Sequence, residues 1–139
     1  MLNQGRCLSF PISASAKGSF QTIGRIDEIV EQSIISIIET RQGERVMLPD
    51  YGLPDFCFDV MDAGFAARIA FFVAQQVGRY EPLAGNVTAQ AGVTNTAGGF
   101  VPNTLAAAQK AVIRVTYTIA GQASPRNLVY PVWQLAPGN

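Results

Sequence analysis

The chain has 139 residues, enough for one domain of ordinary size. It is 48% apolar and 14% charged, ten Lys and Arg balance ten Asp and Glu, and there is no histidine. That composition excludes a disordered chain, a basic binder of nucleic acid or anionic membrane, a Ser-His-Asp or Cys-His catalytic centre and an imidazole metal site. Two readings of so sparingly charged a surface stay open, one covered by partners and one belonging to a compact monomer. The two cysteines, Cys7 and Cys57, fit no zinc motif and are too few for a disulfide scaffold. They read as free thiols in a reducing cytosol, with a bridge left open.

Residues 1–24 read as an extended arm punctuated by Gly5, Pro11, Gly18 and Gly24, with a short strand hinted at by Leu8-Ser9-Phe10. No signal-peptide run is expected in it. Residues 25–41 carry Ile26, Ile29, Val30, Ser33, Ile34, Ile37 and Ile38 at helical spacing. Asp27, Glu28 and Glu31 suit the positive end of that helix; Arg41 is expected in its last turn and Gly43 as its C-cap.

Residues 42–56 are a run of turns set by Pro49, Gly52 and Pro54. Val46, Met47, Leu48, Tyr51, Leu53 and Phe56 are interleaved, so the loop is expected to pack on something. A second helix is predicted over 59–80, with Phe65, Ile69, Phe72, Val73 and Val77 as its stripe and Pro82 stopping it near Tyr80. Its most apolar part, Ala63 to Val77, is too short and too polar to span a membrane.

Alternation returns in the second half. Val87, Ala89, Ala91 and Val93 mark one strand, and residues 94–109 read as a mobile polar loop. Ala111 to Ile119 is a strand with Ala111, Ile113, Val115, Tyr117 and Ile119 on one face. Residues 120–126 turn, and Leu128 to Leu135 is the last strand. Pro131 cannot donate to a ladder, which places that strand at a sheet edge or a bulge. The fold class expected is α+β, a single domain over 1–139: two helices on one face of a small, mainly antiparallel sheet that closes with a C-terminal β-hairpin.

Three features stand out as candidate sites. The first is Gly43-Glu44-Arg45-Val46-Met47-Leu48-Pro49-Asp50-Tyr51-Gly52, where Arg45 offers a planar fork to a carboxylate or carbonyl. The second is Arg79-Tyr80-Glu81-Pro82. A carboxylate at a helix C-terminus calls for a cation, so Glu44, Arg45 and Glu81 are expected to form a charge cluster pinning the loop to the end of the second helix. The third is the edge strand Asn127-Leu128-Val129-Tyr130-Pro131-Val132-Trp133, which offers an apolar edge to an added strand. The plain alternatives are a structural turn, a solvent-facing Glu and an edge covered by the N-terminal arm. For catalysis, Glu39, Glu44, Asp50, Asp55 and Glu81 supply carboxylates, but no spacing ties two together. No catalytic residue, metal ligand or cofactor is expected.

Four pieces in order resemble a known family. Gly5 to Pro11 reads Gly-x-x-x-x-Phe-Pro. An Ile-rich helix runs into Thr40 to Gly52, Thr-x-x-Gly-Glu-Arg-x-Met-x-Pro-x-Tyr-Gly. Tyr80-Glu81-Pro82 ends the second helix, and Asn127 to Pro131 reads Asn-Leu-Val-Tyr-Pro. Together they resemble the small baseplate wedge protein of contractile phage tails, also called the sheath initiator or lysozyme-like baseplate protein, a relative of the TssE subunit of type VI secretion. The family's turn is typically Glu-Pro-Arg, whereas Leu83 stands in the third position here, with Arg79 as the candidate substitute. The resemblance implies a structural virion protein of the tail baseplate, assembled in the host cytoplasm. Its implied partners are the tail sheath protein, by strand addition, the baseplate wedge proteins and the tail tube or hub, with no nucleic acid and no membrane. A peptidoglycan-cleaving tail lysozyme using a carboxylate pair is the alternative, and a generic binding module a third reading.

Overall fold

A computed structural model describes residues 6–56, 63–94, 99–102 and 111–131. Of the positions singled out above, Gly5, Cys57, Val132, Trp133 and Leu135 lie outside the described residues, as do 59–62 of the expected second helix and 95–98 and 103–109 of the expected loop. The elements in chain order are β1 (Cys7–Leu8), β2 (Thr22–Ile23), α1 (Ile26–Glu39), α2 (Ala63–Tyr80), β3 (Ala84–Thr94), β4 (Phe100–Pro102), β5 (Ala111–Ile119) and β6 (Arg126–Pro131). The fold is α+β, with a four-stranded antiparallel sheet ordered β4-β3-β5-β6 and a separate two-stranded ribbon, β1-β2.

The helical stripes and the alternation of β5 meet in one core. Val30, Ile34, Ile37 and Ile38 of α1 pack with Phe65, Ile69, Val73 and Val77 of α2. Beneath them lie Ile113, Val115, Tyr117 and Ile119 of β5 and Leu128 and Tyr130 of β6. Each fully buried Ile or Val contributes on the order of 1.5–3 kcal/mol over an exposed one. Gln76 of α2 is also buried, a polar residue that the apolar stripe gives no reason to expect inside.

Three expectations are corrected. Helix α1 ends at Glu39, so Arg41 is not in its last turn and Gly43 is not its C-cap. Thr40 still donates its N–H and its hydroxyl to the Ser36 carbonyl but is itself extended (φ −87°, ψ 133°), and its own carbonyl turns away to accept the Leu53 N–H, which ends the helix early. Second, the 94–109 segment contains strand β4, with Gly92 opposite Pro102, Val93 opposite Val101 and Thr94 opposite Phe100. Third, only part of the 42–56 loop packs inward: Tyr51 and Leu53 are buried, whereas Val46 and Met47 are 91% and 89% exposed.

Candidate functional site

The loop after α1 is closed by backbone hydrogen bonds before any side chain is considered. Leaving Thr40, the chain pairs with Leu53 through a parallel bridge at Arg41; Leu53 N–H donates to the Thr40 carbonyl at 2.9 Å and Gln42 N–H to the Leu53 carbonyl at 2.9 Å. Gly43 N–H reaches the Pro49 carbonyl at 2.9 Å across the loop. Gly52 adopts φ +98°, and a Cβ there would collide with the Thr40 carbonyl, so the motif glycine is required for both backbone shape and space.

Side chains then lock the loop to the helices. The Arg45 guanidinium donates to Ser36 Oγ at 3.1 Å and lies 3.9 Å from the centroid of the Tyr51 ring. Tyr51 Oη is 3.3 Å from the same Ser36 Oγ, and its ring meets Tyr80 edge-on with centroids 5.0 Å apart. Glu44 accepts the Arg41 backbone N–H at 3.0 Å, and Asp50 lies 3.9 Å from the Arg79 guanidinium. Pro49 is exposed at the loop's turn. Ser36 thus joins two motif residues to α1. It escapes sequence reasoning, because a serine on an isoleucine-rich helix carries no signal of its own.

The expected cluster of Glu44, Arg45 and Glu81 does not form. Glu81 is 7% exposed, and its carboxylate accepts the Leu83 N–H at 3.2 Å while its backbone carbonyl takes the Ala84 N–H at 3.1 Å. The carboxylate is consumed in shaping the turn that passes through exposed Pro82 into β3. Leu83 packs against the core, and Arg79 pairs with Asp50 rather than with Glu81. The loop is nevertheless fixed to the end of α2, by Tyr51 on Tyr80 and Asp50 near Arg79 instead of by the expected charges.

At the other candidate site, β6 is an edge strand, one of the two placements that Pro131 allowed: among the described residues it pairs only with β5. Leu128 and Tyr130 point into the core and Val129 outward, 54% exposed. Both ends of the strand are tied to α1. Tyr130 Oη donates to Glu39 Oε1 at 2.8 Å, and Arg126 lies 3.4 Å from Asp27, which also holds Arg25 at 2.8 Å. Burial, then the hydrogen bond to Glu39, raises the Tyr130 phenol above its ordinary range, so it stays a neutral donor. Burial works to raise the Asp27 pKa, but its own backbone N–H and the Arg25 and Arg126 guanidiniums outweigh that and hold the carboxyl below its usual value.

The direction of the free backbone groups follows from strand alternation. Ala120 N–H donates to Leu83 on the β3 side, so the even residues of β5 turn their backbone groups to β3 and the odd ones to β6. Ile113 and Val115 lie opposite Tyr130 and Leu128. Those two residues of β6 therefore bond to β5, and Asn127, Val129 and Pro131 turn their backbone groups to the open side. Pro131, which has no N–H, is in phase with that assignment.

The opposite edge has its own device, also missed from the sequence. A Cβ on Gly92 would collide with β4, and the Phe100 ring and Pro102 lie close over the same spot. The Arg114 guanidinium sits 4.1 Å from the Phe100 centroid. A glycine inside an alternating strand was the available signal of a close approach.

Fold and sites define an α+β domain with two helices packed on an antiparallel sheet and one braced edge that, among the described residues, no further strand covers. Residues 25–124 match the model of the family described as baseplate wedge protein gp25, and the chain belongs to that family. It is thus a structural component of a tail baseplate, where it associates with other baseplate and tail proteins. The fold is also similar to a chain in the cryo-EM structure of the anti-feeding prophage (AFP) baseplate, 6-fold symmetrised. The TM-score is 0.64 and the identity 24%, over 86% of this chain and 89% of that one. No curated protein sequence matches significantly.

Proposed function

We propose that this baseplate component joins the wedge to the tail sheath and starts sheath assembly by accepting a strand from the sheath protein at the open side of β6. The observation that carries the reading is the edge itself: backbone groups of Asn127 and Val129 face outward from a strand whose inward side chains and both ends are anchored. Strand addition supplies main-chain hydrogen bonds without needing a particular side-chain set. Pro131 restricts which registers can pair, which discourages unlimited self-addition. The other end of the molecule, the 43–52 loop with Arg79, Glu81 and Pro82, offers a rigid surface for the wedge proteins or the tail tube or hub.

The role is structural rather than enzymatic. Each of the five candidate carboxylates among the described residues has a partner within the chain. Glu39 accepts from Tyr130, Glu44 from the Arg41 backbone and Glu81 from the Leu83 backbone, while Asp50 and Asp55 lie near Arg79 and Arg41. Assembly takes place in the host cytoplasm before the particle is complete.

Val129→Pro tests the proposal. It removes an outward N–H while leaving the β5–β6 ladder its bonds. Particles assembled with it are expected to carry baseplates without sheath. Normally sheathed particles would refute strand addition at this edge.

A further inference from the structure

The open edge of β6 has a second wall. Residues four apart form a row along the surface of an α-helix, and Asp27, Glu31, Ile35 and Glu39 are such a row on α1. Its two ends are tied to the two ends of β6, Asp27 to Arg126 and Glu39 to Tyr130. The neighbouring row, Val30-Ile34-Ile38, is fully buried, whereas Glu31 and Glu39 are exposed. Glu31 and Ile35 therefore run along the outer side of β6, on the face of the sheet to which Leu128 and Tyr130 turn. Tyr117, paired with Arg126, agrees with that placement: burial, then the Glu31 carboxylate, raises its phenol above the ordinary value. A strand added to β6 would rest its inward side chains on this row.

The charge on the row is not balanced. Helix α1 carries four carboxylates and neither Lys nor Arg. Arg25 lies 2.8 Å from Asp27 and 3.4 Å from Glu28, and Arg126 lies 3.4 Å from Asp27, so that end is neutralised. Arg41 shares a small cavity with Glu39 but lies 4.0 Å from Asp55, and Arg45 reaches α1 at Ser36, outside the row. Among the described residues, Glu31 makes no hydrogen bond or ion pair, and Glu39 accepts only the neutral Tyr130 hydroxyl. Between these two carboxylates, Ile35 is half-buried against the core.

Spacing then says which strand fits. Glu31, Ile35 and Glu39 follow one another at about 6 Å along the helix. Inward side chains of a strand recur at about 6.7 Å, close enough to stay in step over three positions. We propose that the strand added at β6 reads basic, apolar, basic at successive inward positions. Lys or Arg at i and i+4 then meets Glu31 and Glu39, and an aliphatic residue at i+2 covers Ile35. The pattern is the same in both directions, so it holds for parallel and antiparallel addition alike. The inference rests on strand addition at β6: backbone bonds hold whichever strand arrives, and this row selects among strands.

Two capped peptides test it, Thr-Lys-Thr-Val-Thr-Lys-Thr and Thr-Glu-Thr-Val-Thr-Glu-Thr, each titrated into the isotope-labelled full chain. The lysine peptide is expected to shift the Asn127 and Val129 amides. At low salt it should bind about tenfold more tightly than the glutamate peptide, the scale of two exposed ion pairs set against two like-charge contacts. High salt should narrow that gap. Glu31→Lys, at an exposed position, should weaken the lysine peptide and strengthen the glutamate peptide. Equal binding of the two peptides overturns the inference, and so does a preference that Glu31→Lys leaves unchanged. Val129→Pro tells this failure from failure of the reading beneath it. Equal binding that Val129→Pro abolishes leaves strand addition standing and removes the selection. Binding of the lysine peptide that Val129→Pro leaves intact, or that leaves the Asn127 and Val129 amides unmoved, removes both.

Discussion

At one edge of the main sheet, β6 pairs six residues with β5, buries Leu128 and Tyr130 and is tied to α1 at both ends. At the other, among the described residues, the three residues of β4 pair with the far end of β3, with a phenyl ring lying over a glycine and an arginine over the ring. An edge strand is a hazard that proteins blunt by shortening or covering it. Among the described residues, one edge carries a ring packed over a glycine and the other is tied into the core. A strand that is to be pulled on by a partner must transmit the force into the core. Strand β6 is tied through Tyr130 and Arg126 to a helix whose inner face is buried, the bracing that the proposed strand addition would need.

The difference can be broken from either side. The largest effect is expected for Tyr130→Ala, which opens a cavity under β6 and removes the tie to Glu39. A loss of about 3 kcal/mol should appear in denaturant unfolding, together with faster amide exchange across the β5–β6 hairpin. Gly92→Ala should cost about 1–3 kcal/mol, since the new methyl group must push β4 away; exchange should rise at β4 and leave β6 protected. Tyr130→Phe keeps the packing and loses one charge-assisted hydrogen bond, for about 1 kcal/mol in the same assay. Arg114→Ala should cost about 0.5 kcal/mol, the scale of a cation over an aromatic ring near the surface.

The smallest effect is a pH dependence at the Arg126 end. Against the effect of burial, the folded-state pKa of Asp27 is depressed by its own backbone N–H, by Arg25 and by Arg126. Its contribution is therefore fully present above the unfolded value of about 3.9 and is lost as pH falls through the lower folded value. Thermal unfolding of wild type and Asp27→Asn should differ at neutral pH and converge at strongly acid pH. A difference that persists unchanged at acid pH would mean that the tie does not act through the charge.

Much of this is legible in the residues. Strict alternation from Ala111 to Ile119 and the spacing of Ile26 to Ile38 describe surfaces that must be buried on one side, and Pro131 alone calls for an edge or a bulge. What escapes is set by contacts remote in sequence. The end of α1 is decided by Thr40 turning to pair with Leu53, far along the loop, and no local cap announces it. Glu81 follows a helix and so calls for a cation, but a backbone N–H two residues away satisfies it. Arg45 suits a carboxylate and instead stacks on Tyr51 and reaches Ser36. The loop, the turn and the edge all announce themselves as special. The partners of their side chains do not, because a planar guanidinium fits an aromatic face as well as it fits a carboxylate.

The central claim concerns the open side of β6, and electron microscopy of particles carrying Val129→Pro addresses it most directly. Amide exchange of the purified variant should first show the β5–β6 ladder still protected, since a proline in a strand also constrains the backbone. Complete baseplates on which no sheath is built are then the predicted outcome. Sheathed particles in normal number from the same variant would contradict it.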